Sequence, residues 1–284
     1  MKNNNLSGQA LLFVLLAMAV VATLVLSAVS RSISDVEVTT VEEDSLRAFN
    51  AAEAGVEQAL VGLVSEGTYD VGTEGASYQL DVKTIGDQES SYNYPFDLSS
   101  GSTGIVWFVS HDADENPSCS GLPCYTESSI RVCWGLEGYS SGQSTTPAVE
   151  VAVLYDTGGL KIARAAYDPN NARVGGSGFS GQDGQCTAGE VSYAFSKNIS
   201  FADLGIADSS GLQLMSVRML YNDVGQPLGV VTPGQLLPSQ GNLIESTGIS
   251  GDANRRVQVY ALYATLPSLF ESAIATTSSG GIIQ

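Results

Sequence analysis

The stretch Gln9-Ala-Leu-Leu-Phe-Val-Leu-Leu-Ala-Met-Ala-Val-Val-Ala-Thr-Leu-Val-Leu-Ser-Ala-Val29 contains no charge, proline or glycine. It is 21 residues long. At 1.5 Å rise per residue, a helix of that length spans the ~30 Å hydrocarbon core of a bilayer. Leu, Ala and Met favour helix, and nothing in the run interrupts it. A cleaved secretory signal has a shorter apolar region, ~7–15 residues, followed by a small-residue cleavage site. Here the run is longer, and helix-forming sequence follows it. The stretch therefore reads as a retained membrane helix over residues 9–30.

Downstream, residues 31–66 contain no proline and only two glycines, Gly55 and Gly62. Leu46, Phe49, Ala52, Val56, Leu60 and Leu63 recur at spacings of three and four, which marks one helix face. The expectation is a single helix running from Gln9 to about Val64, roughly 80 Å long. Its first half is apolar all round. Its second half, residues 31–66, is amphipathic and has a face to pack on a globular body. Glu66, Gly67, Gly72 and Gly75 are expected to end it.

Composition narrows the functional classes. Lys plus Arg is 12 and Asp plus Glu is 30, a net charge of −18, so the surface repels phosphate backbones and general nucleic-acid binding is excluded. His111 is the single histidine, which excludes mechanisms needing two. No G-x-S-x-G, Walker A or H-E-x-x-H sequence occurs. Gly176-Ser-Gly-Phe-Ser-Gly181 fits G-x-G-x-x-G but sits in a Gly/Ser loop without a strand-to-helix context, so it is read as chance. No enzyme activity and no cofactor are expected.

After Gly67 the period changes from helical to alternating. Tyr78 to Val82, Ile105 to Val109, Ile130 to Leu136, Leu212 to Tyr221, Leu228 to Val231 and Val257 to Leu266 read as strands. Val149–Tyr155 and Leu160–Tyr167 flank Asp156-Thr-Gly-Gly159 and read as a hairpin with a four-residue loop. Residues 67–275 thus form a β-rich head of seven or eight strands. A short helix is expected from Pro267 to Ala275, with a flexible tail over 276–284. Residues 172–188 read as loop. The fold class is α+β: a long N-terminal helix whose second half covers an antiparallel sheet.

Four cysteines, Cys119, Cys124, Cys133 and Cys186, suggest two disulfides in an extracytoplasmic head. Three connectivities exist. The turn Ser120-Gly-Leu-Pro123 favours Cys119–Cys124 with Cys133–Cys186. Paired C-x₂-C units that would favour zinc are absent. Asp112, Asp114 and Asn116 alternate as at the start of a calcium loop. The sixth and twelfth positions of such a loop are Pro117 and Pro123 rather than Gly and Glu, so an EF-hand is excluded and only a looser calcium site remains. His111 is read as a surface residue.

The N-terminal residues resemble a known family. Ser7-Gly8-Gln9-Ala10-Leu11-Leu12, the apolar helix, Arg31-Ser-Ile-Ser-Asp35 and Ala51-Ala-Glu-Ala-Gly-Val-Glu57 are similar to the N-terminal region of PilX-type minor pilins of type IV pilus assembly systems. The resemblance covers residues 7–61. It implies a pilin-like fold and a leader, residues 1–8, removed by a prepilin peptidase after Gly8, with Gln9 becoming the methylated N-terminus. Many pilins have Phe or Met at that position. Major pilins carry Glu as the fifth mature residue, where this chain has Phe13. That Glu pairs with a neighbour's positive N-terminus in low dielectric. Its absence implies a priming or tip subunit rather than a major one.

The expectation is thus a structural subunit, single-pass in the membrane with its head outside, at the cell surface or in the pilus after assembly. Its implied partners are other pilin subunits through the helix, the prepilin peptidase, the inner-membrane pilus assembly machinery and membrane lipid. Two alternatives stand beside it. One is a K-type minor pseudopilin of type II secretion. The other is a membrane-anchored extracellular binding protein that does not polymerise.

Overall fold

The computed structural model describes residues 7–62, 66–72, 75–175 and 178–265, with side chains from Leu11 onward. The leader residues 1–6, the Pro267–Ala275 helix, the 276–284 tail and part of the G-x-G-x-x-G stretch lie outside the described residues. The fold is α+β: one long N-terminal helix and antiparallel sheets. The chain divides into two compact units, Met1–Val82 with Ile244–Val259, and Lys83–Leu243 with Tyr260–Gln284.

The first unit carries α1 (Ser7–Leu60), 54 residues without a break. It also carries the body of a four-stranded sheet of order β1-β2-β12-β13, where β1 is Gly67–Val71, β2 Ala76–Ile85, β12 Gly241–Ser250 and β13 Ala253–Leu262. The helix stops earlier than its composition suggests. Gly62 adopts φ +67° and its N–H bonds the Ala59 carbonyl at 3.0 Å. A left-handed residue just past the last turn is the usual helix terminator, and glycine takes it without Cβ strain. Gly62 is thus the stop, not an interior residue.

The second unit is a two-sheet sandwich. One sheet has order β4-β10-β6-β7: β4 Thr103–Trp107, β10 Leu212–Leu220, β6 Ala148–Asp156 and β7 Leu160–Tyr167. The other has order β3-β11-β5-β9-β8: β3 Ser91–Asn93, β11 Leu228–Val231, β5 Ser129–Leu136, β9 Val191–Ser200 and β8 Gly184–Ala188. Every pairing within these two sheets is antiparallel. Alternate residues from the facing sides interleave in one core, including Val149, Val151, Val153, Met215 and Val217 from one sheet and Ile130, Val132, Trp134 and Ile199 from the other. Trp134 is fully buried, and its indole N–H finds the Pro147 carbonyl at 2.9 Å, so its polar atom is satisfied inside the core.

Several expectations are corrected. Three sheets replace the single one, because most of the strand residues pack on one another in the second unit and the helix shares its unit with the β1-β2-β12-β13 sheet. The segment 172–188 is not all loop: a short helix α2 (Asn171–Val174) and β8 lie within it. Gln185 to Ala188 lacks a long apolar alternation, and pairing with β9 makes it a strand. The hairpin loop is Thr157–Gly159, one residue shorter than expected, since Asp156 pairs with Leu160. The Asp156 carboxylate tightens it by accepting from the N–H groups of Gly158 (2.8 Å) and Gly159 (2.7 Å). The last strand is Ala253–Leu262, not Val257–Leu266.

Candidate functional site

From Leu11 to Glu43, every residue of α1 is solvent-exposed, Leu26 at 68% and Met18 at 66% among them. Leu, Val, Met and Phe are ordinarily driven inside, and the uncharged, largely apolar sleeve from Leu11 to Val29 is unstable in water. The helix is long and apolar enough to cross a membrane by length and composition. Thr23, the one hydroxyl between Ala10 and Leu26, donates to the Val20 carbonyl at 2.8 Å. Its polar atom is thereby satisfied within the helix itself, as hydrocarbon requires. Gly8 and Gln9 lie in the first turn of α1. Phe13 is 63% exposed on the same bare stretch.

The packed half of α1 uses a different face from the one the large residues outline. Leu46, Phe49 and Leu60 are exposed, at 64%, 42% and 53%. The buried face is Ala48, Ala51, Ala52, Gly55 and Val56. Of the six stripe residues expected, Ala52 and Val56 are buried, and Leu63 lies outside the described residues. The reason is backbone proximity. A Cβ on Gly248 of β12 would collide with the Ala48 carbonyl and lie 2.6 Å from the Ala52 nitrogen. A Cβ on Gly55 would collide with Ser246 and come within 2.6 Å of the Tyr78 ring. Helix and strand approach so closely that only small residues fit between them.

Polar side chains fix the helix in place at both ends of this contact. Ser250 donates to Asp44 at 3.2 Å, and Arg255 donates to the Ser45 hydroxyl through Nε at 2.9 Å and Nη2 at 2.6 Å. Tyr78 donates to Gln58 at 3.2 Å. Glu53 points away from the sheet and is exposed.

The other sequence-predicted positions lie in the second unit. Cys119 and Cys124 are joined with Cα atoms 5.6 Å apart, and Cys133 of β5 is joined to Cys186 of β8 at 5.8 Å. The second pair sits in a small buried cluster with Ala188 and Tyr193. Asp112, Asp114 and Asn116 do not form a cage. One Asp112 carboxylate oxygen accepts from the N–H groups of Asp114 and Asn116, both at 2.9 Å, and so organises the loop. Among the described residues, no three His, Cys, Asp or Glu side chains gather to hold a metal ion.

His111 is not a plain surface residue. Its ring stacks on Tyr263 at 3.7 Å and meets the edge of Trp107 at 4.6 Å. Burial lowers its pKa below the ordinary 6.5, against the carboxylates of Glu115 and Asp112, which push it up. Burial also raises the phenols of Tyr92, Tyr125 and Tyr193, the last to about 12. These tyrosines are held neutral. Sequence reasoning missed the aromatic stack because Tyr263, which completes it, lies 152 residues after His111 in the chain.

Comparison with known proteins found no matching family model, no matching characterised protein and no matching solved structure.

Proposed function

We propose that this chain is a minor pilin-like structural subunit of a type IV pilus assembly system, with a priming or tip role. The observation that carries the reading is α1: one continuous helix, bare and apolar over its first half and docked by a small-residue face over its second. A plain anchor needs no rigid continuation from the membrane span into the head. A subunit that is drawn out of the membrane and stacked with its neighbours does.

In this reading the apolar half rests in lipid until assembly, then exchanges lipid for the helices of other subunits. The exchange is apolar to apolar, so it costs little, and side-chain packing decides the outcome. The exposed residues Leu46, Phe49 and Leu60 extend the apolar contact surface beyond the membrane span. Phe13 cannot neutralise the charged N-terminus of a neighbouring subunit, which favours a position with no such neighbour. The disulfide-bonded, acidic head works outside the cytoplasm, and the protein performs no chemistry of its own.

The test is the N-terminal mass of the protein recovered from membranes and from sheared surface filaments. A chain beginning at N-methylated Gln9 and present in filaments is the expected result. A chain that retains Met1 to Gly8 and is absent from filaments overturns the reading in favour of an anchored binding protein. Processing without pilus incorporation, with loss of secretion on deletion, points to a type II secretion pseudopilin instead.

A further inference from the structure

The last strand of a sheet leaves a row of backbone groups without a strand partner, and folded proteins usually close such edges. The second unit closes several of its own. At β4 the Gln240 side chain stands in for a strand: its oxygen accepts from the Trp107 N–H at 2.7 Å, and its NH₂ donates to the Trp107 carbonyl at 3.0 Å. At the two ends of the five-stranded sheet, Asn93 of β3 donates to the Ala188 carbonyl of β8 at 3.1 Å.

The β7 edge is closed over its C-terminal part alone. There the Ser180 N–H donates to the Ala166 carbonyl at 2.8 Å, and the Asp168 N–H donates to the Ser180 carbonyl at 2.9 Å. β7 pairs with β6 without a register shift, so the direction of its backbone groups alternates residue by residue. The N–H and C=O groups of Leu160 and Ile162 therefore face outward, as those of Ala166 do. Among the described residues, no hydrogen bond reaches them from that side. Their side chains are 68% and 56% exposed, and Ile162 continues the outer-face row of Leu214 and Leu154. Between them stands Lys161, exposed and outside every ion pair among the described residues, on a chain of net charge −18.

We propose that Leu160–Ile162 is a docking edge for an extended segment of another protein, which adds antiparallel to β7 and carries an acidic residue between two apolar ones. The residues opposite Leu160 and Ile162 exchange both N–H···O bonds with them, and their apolar side chains pack on the outer face beside Leu160 and Ile162. The residue opposite Lys161 falls at a non-hydrogen-bonded position, where the Cα atoms are only ~4.5 Å apart and the side chains are closest. A carboxylate there pairs with the free ammonium. A second copy of this chain fits badly. In the register that opposes Leu160 to Ile162, the two Lys161 side chains face each other, and like charges directly opposite are destabilising. This inference is independent of the pilus reading.

The test uses the full chain in detergent and a fluorescein-labelled peptide, Ser-Thr-Val-Asp-Val-Thr-Ser, with a control carrying Lys in place of its Asp. Fluorescence polarisation should show the Asp peptide binding with a Kd of about 1 mM or below. The Lys peptide should bind at least about fivefold more weakly. Lys161→Glu lies on the surface and should reverse that preference. Ile162→Pro removes an outward N–H, a change that edge strands tolerate, and should abolish binding of both peptides with thermal unfolding little changed. Hydrogen exchange in the Leu160–Tyr167 peptide should slow when the Asp peptide is added. No binding of the Asp peptide overturns the proposal. So does a preference that Lys161→Glu leaves unchanged, or binding that survives Ile162→Pro. Protection of Leu160–Tyr167 that rises with protein concentration in the absence of peptide also overturns it, and assigns the edge to a second copy.

Discussion

The two halves of α1 both carry large apolar residues, yet they meet opposite fates. Between Leu11 and Glu43 the large side chains are exposed on every side. Between Ala48 and Val56 the helix is buried, but through alanine and glycine, while Leu46, Phe49 and Leu60 stay outside. Burial in this molecule therefore follows fit rather than side-chain hydrophobicity. The strand offers a glycine, the helix offers alanines, and dispersion over a close backbone contact replaces the larger transfer energy of leucine and phenylalanine. The large residues left over are free for a surface that is not part of the folded monomer.

The largest effect should come from closing the gap between helix and strand. Gly248→Val places branched carbons against the Ala48 carbonyl, and backbone cannot yield as a side chain can. A loss of about 3 kcal/mol or more is expected, at the upper end of overpacking costs. Thermal unfolding, with proteolysis at residues 44–60, reads it. If Gly248→Val is neutral, the tight contact is not what holds the second half of the helix.

Next comes the bare half. Val21→Arg puts a charge in the middle of the apolar sleeve, where it should oppose membrane insertion by about 3 kcal/mol. The protein should lose much of its membrane fraction, while the unfolding of a head released by proteolysis stays unchanged. Unaltered membrane retention would remove the distinction between the two halves.

Ala52→Leu is smaller. It adds volume to the packed face, and about 1–3 kcal/mol should be lost. By contrast, Ala→Leu at an all-apolar exposed position such as Ala17 should leave unfolding within about 0.5 kcal/mol, as surface changes do.

The smallest effect on stability should be at Leu46 and Phe49. Replacing both with Ser should shift unfolding by no more than about 0.5 kcal/mol per site, since neither is buried. If the proposed assembly role holds, the same variant should nevertheless be depleted from sheared filaments. A strongly destabilised monomer would show that these residues pack within the chain after all.

Much of this was legible in the primary structure. The run from Gln9 to Val29 announces a membrane-length helix by its lack of charge and glycine, which is a local property. The alternations at Ile130–Leu136, Val149–Tyr155 and Leu212–Tyr221 announce strands, because a half-buried sheet imposes period two on each strand separately. β8 and β12 were not legible. Gly184–Ala188 and Gly241–Ser250 carry too little apolar contrast, and their strand character comes from neighbours far away in the chain. The candidate assembly residues Gly8, Gln9 and Phe13 could be named from a local pattern, whereas the aromatic stack at His111 could not.

The sequence alone determined that α1 exists, that it is too apolar for water over its first half, and that the rest of the chain is β-rich and acidic. Helix formation and bilayer compatibility are sums over neighbouring residues, so one dimension suffices to read them. Tertiary structure alone decided which side of α1 is buried, how the strands divide among three sheets, and where the Gly62 stop falls short of the apolar pattern. Each depends on how closely two backbones can approach, and that distance is set by pairs such as Ala48 and Gly248, 200 residues apart in the chain.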